Sequence, residues 1–147
     1  MEELIIDASE QVAGRIASKT AKEVLKGNTV IIVNAENALV SGSPKYTEEF
    51  FNIKIKRGDP YHGPFYPKTP EGILKRIIRG MLPYKKPLGK KAFKRVRVYR
   101  DLPYELKDRE IKDFGMKNKL RCKYMTLGKI SERVGGIKTG SQARKKQ

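Results

Sequence analysis

The first 34 residues constrain the fold most, because their apolar spacing changes character twice within them. Leu4–Asp7 is a short apolar run, and Ser9 stands just before a segment whose apolar positions are Val12, Ala13, Ile16, Ala17, Ala21, Val24 and Leu25. That second spacing is helical and predicts a broad buried face. Gly27 sits just past its end, where a left-handed cap is expected, and Asn28 follows. Thr29–Asn34 (TVIIVN) is then a continuous β-branched run too short for a helix. Strand, helix and buried strand make a βαβ unit, whose right-handed crossover sets the two strands parallel. The outer helix face carries Arg15, Lys19, Lys22 and Lys26, with Glu23 near its edge, and suits either phosphate or solvent.

Later segments add smaller pieces. Ala38–Ser41 is a short apolar stretch ending at Gly42, and Lys45–Lys56 reads as a helix burying Tyr46, Phe50 and Ile53, with Phe51 a further candidate. Arg57–Lys68 (RGDPYHGPFYPK) is a loop, because its Gly and Pro residues restrict the backbone to neither helix nor strand. Thr69 is placed to cap a helix that starts at Pro70, with Glu71 favourable in the first turn. Ile73, Leu74, Ile77, Ile78, Met81 and Leu82 cover one side of that helix; Lys75, Arg76 and Arg79, with Gly72 and Gly80, cover the other. Pro83 ends it, and Pro87 is expected to keep PYKKPLGKK extended as an exposed basic loop. A short helix around Lys90–Arg95 leads into a strand over Val96–Tyr99, where Val96 and Val98 face one way and Arg97 and Tyr99 the other. Glu105, Asp108, Glu110 and Asp113 form a local acidic segment, and Thr126 can cap a last helix with Leu127, Ile130 and Val134 on one face and Gly135 at its close. Residues 138–147 are nearly devoid of apolar side chains and are expected to be flexible without a partner.

Charge decides what such a domain can bind. The chain has 33 basic and 16 acidic residues, a formal charge of +17, whereas small soluble domains carry roughly 2–8 net charges. Lys54–Arg100 alone holds fifteen Lys and Arg against Asp59 and Glu71. Self-repulsion of this size calls for counter-charge from a nucleic acid, an anionic membrane or an acidic protein. Clustering on structured segments favours nucleic acid. With 147 residues the chain fits one domain. Cys122 is the only cysteine, so no intrachain disulfide or multi-cysteine zinc site can form, and a packed thiol is its simplest role. The opening MEELIID lacks the features of a secretory signal, and no apolar run approaches the roughly 18 residues of a membrane span, so a cytosolic location is expected.

The sharpest physical clue is the helix from Pro70 to Leu82. Lys75 and Arg79 are four residues apart and Arg76 and Arg79 three, spacings at which like charges cost a few tenths of a kcal/mol per pair. A phosphate backbone would offset that cost, and Gly72 and Gly80 would allow close approach; a solvated helix face is the rival. The loop residues Tyr61, His62, Phe65 and Tyr66 could stack on unpaired bases or close a satellite core, with Phe65 assigned to the core and Tyr61 and His62 to RNA. Catalytic signals are weak. His62 is the only histidine, Asp7 suits helix capping better than ligand binding, and neither GxGxxG nor a phosphate-cradling P-loop is present. No catalytic residue, metal site, cofactor or small-molecule substrate is expected.

Three blocks resemble the universal large-subunit ribosomal protein L13 family in its archaeal and eukaryotic form. They are IDASEQVAGRIASKTAKEVLKG followed by TVIIVNAENALVSG, then RGDPYHGPFYPKTPEGILKRIIRGMLP, then LGKKAFKRVRVYRDLP. Asp7-Ala8, Gly14-Arg15, Ala17-Ser18, Gly27, Asn34-Ala35 and Gly42 fall at family positions, and the likeness runs over about residues 5–103. Beyond Tyr104, which stands where the family's His is expected, it rests on KYMTLGKIS, with Lys129 in place of an expected Glu. The resemblance implies a three-layer α/β/α domain around a mostly parallel four-stranded sheet over residues 1–137, with 138–147 as a basic tail. It also implies a non-catalytic constituent of the cytoplasmic large ribosomal subunit, bound to large-subunit rRNA beside neighbouring ribosomal proteins. On that reading Lys75, Arg76, Arg79, Lys85, Lys86, Lys90, Lys91, Lys94, Arg95, Arg97 and Arg100 are the expected phosphate contacts, and Arg57, Tyr61, His62 and Lys68 shape the adjoining loop contact. The rivals are a nucleotide-using α/β enzyme, which needs a cofactor pocket the sequence does not show, and a duplex-DNA factor.

Overall fold

Four short parallel strands organise the molecule, which is described by a computed structural model over residues 1–112, 114 and 120–136. β1 (Glu3–Asp7) pairs with β2 (Thr29–Val33) through α1 (Ala13–Leu25), the βαβ unit expected from spacing. β2 pairs on its far side with β4 (Val96–Val98), and β1 on its far side with β5 (Ile111–Lys112), giving the order β4-β2-β1-β5 with every pairing parallel. Between these lie β3 (Leu39–Ser41), α2 (Pro44–Lys56), α3 (Pro70–Met81) and α4 (Pro87–Lys94). β6 (Tyr124–Thr126) pairs antiparallel with β3 outside the main sheet, and α5 (Leu127–Arg133) follows it.

A parallel sheet has to cover both faces, and strand alternation shows how. Ile6, Val30, Ile32 and Val96 join one core with Ile16, Ala17 and Val24 of α1, Ile73, Leu74 and Ile78 of α3, Ala92 of α4 and Leu127 and Ile130 of α5. Ile5, Ile31 and Val33 face the other way and are sealed by Leu106, with Leu102 packed alongside. Among the described residues the third layer is therefore thin, built on the 3-10 turn Tyr104–Leu106. None of the described helices is long and apolar enough to cross a membrane.

Local chemistry corrects several expectations. Neither Ser9 nor Asp7 caps α1, whose N-cap is Val12 without a side-chain bond. Asp7 Oδ1 instead accepts from Ser9 N at 2.9 Å and Asn34 Nδ2 at 3.0 Å, tying together the ends of β1 and β2. α2 buries Thr47 and Phe51, while Tyr46, Phe50 and Ile53 are 65, 40 and 55 % exposed. That helix lies at the margin of the core, so one ridge of i and i+4 residues faces inward and none of the described elements covers the rest. Pro87 opens α4 at its first turn rather than holding an extended loop, since its fixed φ suits that position. Cys122 is exposed, not packed. The capping predicted at Thr69 and Thr126 is present, with their hydroxyls accepting from Gly72 N at 3.3 Å and Lys129 N at 3.4 Å. Gly27 and Gly135 take the positive φ expected of helix-ending residues, at 108° and 85°. The tail 138–147 lies outside the described residues.

Candidate nucleic-acid interface

The basic surface is assembled by α3, the turn Pro83–Lys86 and α4. Ile73, Leu74 and Ile78 anchor α3 in the core, which forces Lys75, Arg76 and Arg79 toward the surface. α4 folds back tightly because Gly89 is buried against the turn backbone: a β-carbon there would overlap the Pro83 carbonyl and stand 2.8 Å from Tyr84 N. Lys85, Lys86, Lys90, Lys91 and Lys94 are all exposed along this hairpin.

Aromatic rings rather than carboxylates hold these cations in place. Arg79 Cζ lies 3.9 Å from the Tyr84 ring centroid, Lys75 Nζ 5.4 Å from Phe93, and Arg76 Cζ 5.7 Å from Tyr66. Each such contact is worth about 0.5–1 kcal/mol at an exposed site. The charge remains available to a partner while the side chain loses freedom. Glu71 stands in the first turn of α3, but the acids paired with Lys or Arg lie elsewhere: Glu23 with Lys26 at 2.7 Å, Glu36 with Arg100 at 3.2 Å, Glu3 with Arg109 at 2.6 Å and Glu48 with Arg133 at 2.7 Å. Hydrogen bonds from Lys26 and Asn28 hold the Glu23 carboxyl below its ordinary pKa. Burial keeps the Tyr66 hydroxyl above its ordinary pKa, against the pull of Arg76.

The loop before α3 adds a second component. Asp59 Oδ1 accepts from Tyr61 N at 2.9 Å, and Asp59 Oδ2 is 3.3 Å from His62 Nδ1, so one carboxylate shapes the turn. Tyr61 is 87 % exposed, and Phe65, expected in a satellite core, is 71 % exposed. Tyr66 takes the inward role, with its ring centroid 6.2 Å from that of Phe51. The Gly63-Pro64 peptide bond in this loop is cis. The carbonyl of Lys68 accepts from Ser131 Oγ at 2.6 Å, pinning the loop end to α5 while its side chain remains exposed.

Not all the expected residues converge. Arg95 Nη1 donates to Val24 O at 3.3 Å, closing the end of α1. Arg100 is engaged with Glu36. Arg97 emerges on the sheet face opposite α3, in a cavity of about 450 Å³ shared with Glu3, Tyr99, Tyr104 and Arg109. Gly72 is required by its neighbours rather than by a ligand, since a β-carbon would stand 2.7 Å from Pro67 Cβ and 2.8 Å from Thr69 Oγ1. Gly80 does face open space. Lys54, which sequence reasoning counted but did not select, joins the surface: its Nζ lies 4.3 Å from the Phe50 ring and 5.4 Å from Tyr66. The available signal was its position four residues after Phe50 and three before Arg57 on a helix.

An α/β platform that stacks its surface cations on aromatic rings and pairs four of its acids with bases elsewhere defines a protein built to present positive charge. The chain belongs to the Ribosomal protein L13 family, whose model matches residues 1–105. It is 44 % identical over 138 residues to the large ribosomal subunit protein uL13 of Haloarcula marismortui, covering 93 % of this chain and 94 % of that protein. It is 45 % identical over 135 residues to uL13 of Methanosarcina barkeri, covering 89 % and 96 %, and 40 % identical over 143 residues to uL13 of Methanopyrus kandleri, covering 94 % and 90 %.

Proposed function

We propose that this protein is a structural, non-catalytic constituent of the large ribosomal subunit in the cytoplasm, binding large-subunit rRNA and supporting subunit assembly and translation. The observation that carries the reading is the α3–α4 surface, where Lys75, Arg76 and Arg79 stack on rings and have no carboxylate partner among the described residues. Phosphate oxygens supply the missing counter-charge, and the ring contacts hold the cations in register with a backbone that repeats its charge. The core sheet provides rigidity. Arg57, Tyr61, His62 and Lys68 extend the contact from the loop side, and neighbouring ribosomal proteins meet surfaces that the RNA leaves free.

Salt dependence tests this. If roughly 6–10 phosphates are engaged, affinity for an rRNA fragment falls on the order of 10³–10⁵-fold between about 50 and 200 mM salt. Replacing Arg76 and Arg79 by Gln reduces the slope of log K against log salt by about two. Arg100→Ala leaves the slope unchanged, because Arg100 is engaged with Glu36. A flat salt dependence of the unaltered protein refutes the reading, as does failure to cosediment with large subunits after a moderate salt wash.

A further inference from the structure

Phosphate contact does not account for the cleft between α2 and α3. It has two compartments that share Lys54, Tyr66 and Ile77 as a common wall. One, of about 540 Å³, is faced by Lys54, Arg57 and Arg76, with Gly80 opening one side. The other, of about 470 Å³, is apolar, with Leu39, Val40, Tyr46, Phe50 and Phe51 among its walls. Both fall in the range of roughly 300–1,000 Å³ typical of sites for small organic groups. None of the three cations has a carboxylate partner among the described residues. Lys54 and Arg76 are each held near Tyr66, so positive charge stands at the seam where the compartments meet.

We propose that this cleft receives a single unpaired nucleotide extruded from the bound RNA, with its phosphate on Lys54, Arg57 and Arg76 and its base in the aromatic compartment beside Tyr66. The inference rests on the RNA-binding reading above and gives it a specific ligand. A duplex presents phosphates on a convex surface, and the exposed lysines of the α3–α4 hairpin already match that. A concave site with cations on one side and aromatic walls on the other matches what only an unpaired nucleotide offers, a phosphate and a free π-face within one residue. The exposure of Tyr46 and Phe50, which leaves the outer face of α2 uncovered, is explained by the same occupant.

The test uses the full chain and three labelled RNA hairpins, read by fluorescence anisotropy at physiological salt. One hairpin carries a single bulged adenosine, one is fully paired, and one has an abasic site at the bulge. The bulged hairpin is expected to bind at least roughly tenfold tighter than either of the others, as one base stacked on an aromatic wall implies. Gly80→Leu should bring the bulged hairpin down to the affinity of the paired one, because Gly80 lines the cleft and a β-carbon there meets nothing within 4 Å. Arg57→Gln should weaken the bulged hairpin more than the paired one. Equal binding of all three hairpins with a steep salt dependence overturns the nucleotide cleft and leaves the RNA-binding reading standing. Equal binding of the bulged and abasic hairpins overturns the base contact. Salt-independent or absent binding to every hairpin overturns both.

Discussion

Two glycines in the α3–α4 hairpin should respond in opposite directions to the same substitution. Replacing Gly by Ala inside a helix adds up to about 1 kcal/mol of stability through backbone propensity. At Gly80 nothing opposes that gain, because a β-carbon there has no neighbour within 4 Å. At Gly89 the β-carbon meets the Pro83 carbonyl and Tyr84 N, which are backbone atoms that cannot rotate away. Overpacking of this kind costs about 1–3 kcal/mol and sometimes more. Gly80→Ala is therefore expected to stabilise by about 0.5–1 kcal/mol, and Gly89→Ala to destabilise by about 1–2 kcal/mol after its propensity gain is subtracted.

For a chain of this length, each kcal/mol moves Tm by about 2–4 °C, so the two variants should separate by several degrees in a thermal melt. Urea titration should show the same ordering with unchanged slope. Gly89→Ala should also lower RNA affinity, because moving α4 away from the turn separates Phe93 from Lys75, now 5.4 Å apart. A Gly89→Ala variant as stable as the parent would refute the claim that tight closure of this hairpin needs a bare backbone.

Phe51→Ala should cost about 3–5 kcal/mol, since the ring is 3 % exposed and packs against Phe50 and Tyr66, whereas Phe50→Ala, at 40 % exposure, should cost within about 1 kcal/mol; equal losses in urea titration would contradict the assignment of the α2 core ridge. The Glu23 carboxyl has a lowered folded pKa, so its contribution is present above its ordinary value of 4.5 and is lost as pH falls through the lower folded value. Glu23→Gln should be less stable than the parent at neutral pH by under about 1 kcal/mol, as befits a solvent-screened pair, and urea titrations should show the gap closing below pH 4.5.

The legible parts of the fold were those where one local rule suffices. TVIIVN could only be a buried strand, and Thr69-Pro70 carried both a cap and a first-turn proline. Phe50 and Phe51 were harder, because neighbouring aromatics on a helix lie about 100° apart and local spacing does not choose which faces inward. The choice was made by Tyr66, which arrives from a different segment. Pro87 was ambiguous for a related reason: the same fixed φ serves an extended loop and a first helical turn. At the candidate site, the charge block pointed to a polyanion as partner, and tertiary contacts decided which cations are engaged within the fold. Arg95 and Arg79 look alike in sequence, yet one closes α1 and the other lies over Tyr84.

The placement of acids explains why the cationic surface survives folding at all. Glu3, Glu23, Glu36 and Glu48 each pair with a base away from α3. A fold that spread them evenly would lower the self-repulsion of a chain carrying +17, but it would also place carboxylates against incoming phosphates, where like charges oppose binding. Ring stacking offers another way to order a cation, without neutralising it. Arg79 over Tyr84 and Lys54 over Phe50 are fixed in place with their charge intact. The residual repulsion is then relieved by the ligand itself, and a polyanion that binds only the folded state stabilises it by about 2.7 kcal/mol at a hundred times Kd. On the proposed reading, binding and folding thus draw on the same uncompensated surface of α3 and α4, whose inner sides are anchored in the core by Ile73, Leu74, Ile78 and Ala92.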